Sequence, residues 1–238
     1  MGWMQELMSW LLEADNPGVR ARTLVGLRNL PLVDHFFSQR FDVNCDEMRA
    51  LRALVMLGYG TDPRLCKCLD ELAEYQLPVD GWLCLHRLDK LKRTSKSCIK
   101  AAMHGLLLAG ELKKRAISFP GSNALVEYFL KRRLFYRMDD SSKSVLDYRP
   151  GYRMTDIHFP IEFMRLGLPV LLNALAALGA SQGPEPQEAW SLLASRRDWE
   201  GRVILQGTLN KTYLPKERVG KLSKWATLYA CLAWKHTG

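Results

Sequence analysis

The sequence predicts an all-α protein built as an array of helical hairpins, either curved or closed into a ring. Three observations carry that expectation: apolar residues recur at helical spacing along most of the chain, hardly any segment alternates as a half-buried strand does, and three long polar stretches separate the helix pairs at a regular interval. The chain has 238 residues, of which 47% are apolar and 25% charged, which excludes a disordered polymer and allows one large domain or two small ones. Lys and Arg number 34 against 25 Asp and Glu, a net charge of +9. That balance draws anionic partners by long-range attraction.

The periodicity places helices at about 2 to 13, 17 to 29, 32 to 40, 45 to 58, 62 to 75, 97 to 115, 121 to 135, 160 to 179, 185 to 196 and 223 to 236. Their punctuation is chemically sensible. Asp15-Asn16-Pro17 and Asp62-Pro63 each set a capping carboxylate before a proline suited to a first helical turn. Gly110 and Gly179 sit where helices could stop or bend. Polar stretches at about 76 to 96, 136 to 159 and 197 to 222 are centred some 60 residues apart, and each leads into an apolar helix. The helices that open each pair, such as Ser97 to Leu108, are apolar on most of their circumference, as inner-layer helices are.

The longest apolar run, Leu166 to Ala180, is interrupted by Gly167, Pro169 and Asn173 and is shorter than the ~20 residues a membrane span needs, so no transmembrane segment is expected. Residues 1 to 13 lack the basic start and small-residue cleavage site of a signal peptide, and the expected location is cytoplasmic. Cys45, Cys66, Cys68, Cys84, Cys98 and Cys231 follow no paired spacing and read as reduced, mostly buried thiols.

Two resemblances follow from local motifs. Asp15 to Arg20, with Leu24 and Leu27, looks like the start of a HEAT-type hairpin, so residues 1–75 read as an N-terminal helical segment, separate from residues 76–238 or continuous with them. The elements Gln76-Leu77-Pro78-Val79-Asp80-Gly81-Trp82 and Asp198-Trp199-Glu200-Gly201 precede small-residue helices at Ser97-Cys98 and Ser223-Lys224-Trp225. This pattern resembles the terpenoid cyclase and protein prenyltransferase superfamily over roughly Leu72 to His236. The resemblance implies an α/α toroid, possibly an incomplete ring, in which Gln76, Trp82 and Trp199 tie hairpins together. It also implies an apolar central cavity for an isoprenoid or other amphipathic anionic ligand. The family's acidic motif is reduced here to Met138-Asp139-Asp140, and Cys98 follows Lys96-Ser97 where a zinc-binding Asp would stand. Neither a metal nor a cofactor is therefore expected, and turnover is left open.

Candidate site residues come from the polar stretches. Asp156 and His158, two apart in the aromatic segment Tyr148 to Pro160, are the candidate acid/base pair, with the capping of the next helix or a salt bridge to an Arg as the plainer role of Asp156. Trp82, His86, Arg93, Tyr152, Arg153, Phe159 and Trp225 are the candidate ligand-binding side chains. His86 and Arg93 belong to a basic loop, and Lys211, Lys216, Arg218, Lys221 and Lys224 form a second one. The alternative is a non-enzymatic helical-repeat scaffold whose basic loops hold an acidic protein or nucleic acid, although no nucleic-acid reading motif is present. His104, on an apolar helix, reads as a satisfied core histidine.

Overall fold

The computed structural model describes residues 32–38, 45–76, 81–82, 97–144, 150, 153–159, 167–208 and 217–235. The expected helices at 2 to 13 and 17 to 29, the HEAT-like segment, and the candidates His86, Arg93 and Tyr152 lie outside them, as does the side chain of Phe159.

Helices appear where the apolar spacing puts them: α1 Leu32–Ser38, α2 Cys45–Leu54, α3 Pro63–Glu74, α4 Ile99–Lys114, α5 Ser122–Leu130, α6 Leu168–Ala177, α7 Gln187–Ser195 and α8 Lys224–Lys235. Among the described residues the protein is all-α apart from one two-residue parallel pair, β1 His158–Phe159 with β2 Gly207–Thr208. Asp62 caps α3 as its position before Pro63 suggests, with Oδ1 accepting from the Arg64 backbone N–H at 2.9 Å. At the end of α6, Ala180 N–H reaches Leu175 O at 2.9 Å and Gly179 takes φ 77°, a left-handed termination that glycine adopts at little cost. Gly110 departs from expectation. Helix α4 continues through it to Lys114, and Gly110 faces Ala174 and Ala177 of α6.

Burial sorts the helices into two layers. Helices α2, α4, α6 and α8 form a row in which each packs on the next, while α5 covers α4 and α7 covers α6. In α4 the run Ala101 to Leu112 is buried without interruption, and in α6 every residue from Leu168 to Ala176 is. The covering helices bury only a stripe, Leu125, Tyr128 and Phe129 in α5 and Ala189 and Leu193 in α7. One apolar core runs from Met48 and Leu51 of α2 to Ala230 and Ala233 of α8, so it is continuous across residue 75.

The 60-residue interval has a backbone counterpart. Antiparallel bridges join Gln76 to Trp82, Tyr136 to Ser144 and Arg197 to Val203, opening at steps of 60 and 61 residues. The first and third are also alike in how they seat the next inner helix. Cys98 N–H donates to Trp82 O at 2.9 Å, and Ser223 N–H donates to Val203 O at 2.8 Å.

Trp82 is wholly buried. Its indole N–H donates to Leu72 O at 2.6 Å, its ring stacks on Phe119 with centroids 6.0 Å apart, and its outer edge lies against Gly121. It thereby ties the end of α3 to the α4–α5 turn. Trp199 behaves differently from expectation, standing 89% exposed in the turn Asp198–Arg202. The place equivalent to Trp82 belongs to Val203, which is buried and makes the matching bridge, so the expected alignment was off by four residues.

Among the described residues no helix is long and apolar enough to cross a membrane.

Candidate functional site

Helix α4 buries two ionisable side chains, Glu111, which pairs with Lys114 and Arg115, and His104. His104 is buried, and its Nε2 has no hydrogen-bond partner. Burial first, and then the charges of Arg49, Arg52 and Lys100, push its imidazole down to about 3. It is therefore a neutral ring at neutral pH, with one nitrogen unmet. The expectation of a satisfied core histidine is corrected on that point.

The three cations converge from two elements. Arg49 and Arg52 lie on α2, which packs on α4, and Lys100 lies one helical turn before His104 on α4 itself. All three are half-buried, and Arg49 also pairs with Asp46 at 3.1 Å.

A second orphan stands on the next helix of the row. Asn173 of α6 is buried and its Oδ1 also lacks a partner. Helix α4 starts after Cys98 and α6 after Gly167, so His104 and Asn173 are each the sixth residue past their N-cap. In α8, Ser223 fills the cap position, with Oγ accepting from Ala226 N–H at 3.0 Å, and the sixth residue past it is Tyr229, half-buried. A polar side chain thus recurs at one register position in three successive inner helices. The sequence signal was available: Asn173 interrupts an apolar run, at the offset that His104 has in its own helix.

The expected acid/base pair has a defined local structure. Asp156 and His158 are both buried. The Asp156 carboxylate accepts from the Arg153 backbone N–H at 3.0 Å, and Asp156 N–H returns to Arg153 O at 3.0 Å, closing a turn. His158 then enters β1 opposite Gly207, while Ile157 N–H donates to the Gln206 side chain at 3.0 Å. Arg153 is half-buried at the head of this turn.

The remaining candidates fall apart in space or into structural roles. Trp82 belongs to the core, and Trp225 lies 46% exposed on α8. Asp139 and Asp140 sit in the turn closed by Tyr136 and Ser144, where Asp139 pairs with Arg137 at 2.7 Å and Asp140 with Lys143 at 2.9 Å. Cys98 is buried at the start of α4. Among the described residues no group of three or more His, Cys, Asp or Glu side chains is placed to hold a metal ion.

No family model, curated protein or solved structure matches this chain. Its function must be argued from the arrangement of its own residues.

Proposed function

We propose that the protein binds an amphipathic anionic small molecule, of the isoprenoid diphosphate kind, against its row of inner helices, and that this row is the wall of a partial α/α toroid. The observation that carries the reading is the buried His104 Nε2 without a partner, beside the charges of Arg49, Arg52 and Lys100. Leaving a polar atom buried and unmet costs about 1 to 3 kcal/mol, so this nitrogen favours a ligand that offers it an acceptor oxygen. Arg49, Arg52 and Lys100 supply the charge an anionic head group needs, and a neutral imidazole can donate from Nε2 to a phosphate oxygen without adding a fourth buried cation. The apolar flanks of α4 and α6 suit the hydrocarbon part.

The test is a melting curve with farnesyl or geranylgeranyl diphosphate in excess. A ligand at about 100 times its Kd stabilises by about 2.7 kcal/mol, which raises Tm by about 5 to 10 °C in a chain of this size. His104→Leu should reduce that rise. A Tm that ignores both diphosphates would refute the ligand class, and a rise untouched by the substitution would refute the site.

A further inference from the structure

The last inner helix differs from its predecessors in having no covering helix among the described residues. Of the seven large apolar side chains that stand well exposed there, four cluster at this end: Val219 at 54%, Leu222 at 42%, Trp225 at 46% and Leu228 at 48%. Ala226, Ala230 and Ala233 form the buried stripe of α8, which packs on α6. Helical spacing puts Lys224, Leu228 and Lys235 on the opposite side, with Trp225 at its flank. The apolar side chains therefore stand out as a ridge with cations between them.

Every charge from residue 218 to 235 is positive: Arg218, Lys221, Lys224 and Lys235 are exposed, and no Asp or Glu occurs there. The carboxylate just before that stretch, Glu217, is turned to the start of α8, where it accepts from Ser223 Oγ and from the backbone N–H of Lys224 at 2.9 Å.

We propose that this face docks on an anionic membrane surface, with Trp225, Leu228 and Leu222 entering at head-group depth and the surrounding cations meeting lipid phosphates. Tryptophan with interleaved lysine is the composition that settles at a lipid–water boundary. A second copy fits less well, because self-complementary pairing of this face would bring two sets of four cations together. An acidic helical peptide fits less well too, since such peptides seat in grooves and this is a ridge. The inference does not depend on the ligand reading above.

Flotation of the full chain with vesicles tests it. The protein should float with an equimolar mixture of phosphatidylcholine and phosphatidylglycerol, remain behind with phosphatidylcholine alone, and be released by high salt. Lys221→Gln and Lys224→Gln should each weaken partitioning about fivefold, as expected for one cation near an anionic leaflet. Trp225→Ser with Leu228→Ser should abolish flotation while circular dichroism and Tm stay as in the wild type, because both side chains are exposed. Failure to float with anionic vesicles, equal flotation with phosphatidylcholine alone, or flotation undiminished in the Trp225→Ser/Leu228→Ser protein would each overturn the proposal. Capture by polyglutamate without vesicle binding, or a wild-type dimer dissolved by the same double substitution, would overturn it in favour of a protein partner or a second copy.

Discussion

His104 and Asn173 occupy one register position of two adjacent inner helices, and each buries a polar atom that the rest of the fold leaves without a partner. A core selected only for stability would carry apolar side chains of similar volume at both places. In the absence of ligand, His104→Leu and Asn173→Leu should therefore each stabilise the protein, by about 1 to 3 kcal/mol, in contrast to the usual destabilising core substitution. Urea unfolding measures this, and a loss of stability of that size in both variants would mean the polar atoms are satisfied internally.

Stability should depend on pH through the same histidine. Its folded value, about 3, lies below the ordinary 6.5, so between these limits the unfolded chain binds the extra proton. The contribution is fully present above pH 6.5 and is lost as pH falls toward 3, at about 1.4 kcal/mol per pH unit. His104→Gln should flatten that part of the profile, as followed by urea midpoints at successive pH values. An unchanged slope would show that other groups set it.

Trp82 holds the joint between the end of α3 and the α4–α5 turn. Trp82→Ala should cost about 3 to 5 kcal/mol, whereas Trp82→Phe, which loses chiefly the 2.6 Å bond to Leu72 O, should cost about 1 to 2. Gly121→Ala probes the joint from the other side. A Cβ there would stand 2.7 Å from the indole Cζ2 and closer still to its neighbour, an overpacking worth about 1 to 3 kcal/mol. Thermal or urea unfolding separates these outcomes, and near-neutral values would remove Trp82 as the tie.

Thiol chemistry offers an independent check on the layers. Cys66 and Cys231 are exposed, while Cys45, Cys68 and Cys98 are buried, and burial pushes the Cys68 thiol up to about 11. A thiol reagent near neutral pH should label Cys66 and Cys231 quickly and Cys68 only on unfolding. Rapid labelling of Cys68 in the native protein would contradict the placement of α3 against the core.

Most helices were legible because their signals are local. The spacing of Met48, Leu51 and Leu54, the cap at Asp62 before Pro63, and the glycine after α6 each act within a turn or two of their own position. The inner and outer layers were legible from the contrast between apolar-all-round α4 and striped α5. The alignment of Trp199 with Trp82 failed because shared residue type outweighed the bridge geometry, which places Val203 there instead. Asn173 was visible only as an interruption of an apolar run, since its burial depends on the helices packed around α6. Asp156 shows the opposite case: its position suggests the cap of a following helix, and its carboxylate instead closes a turn that leads into strand β1.

The side-chain nitrogen resonances of His104, assigned by their disappearance in His104→Gln, report the proposed contact at the atom concerned. Geranylgeranyl diphosphate added to saturation should shift Nε2 as the orphan nitrogen gains a hydrogen bond, with the ring still neutral at pH 7. Resonances that stay in place under the same addition would contradict the claim that a ligand sits at this buried nitrogen.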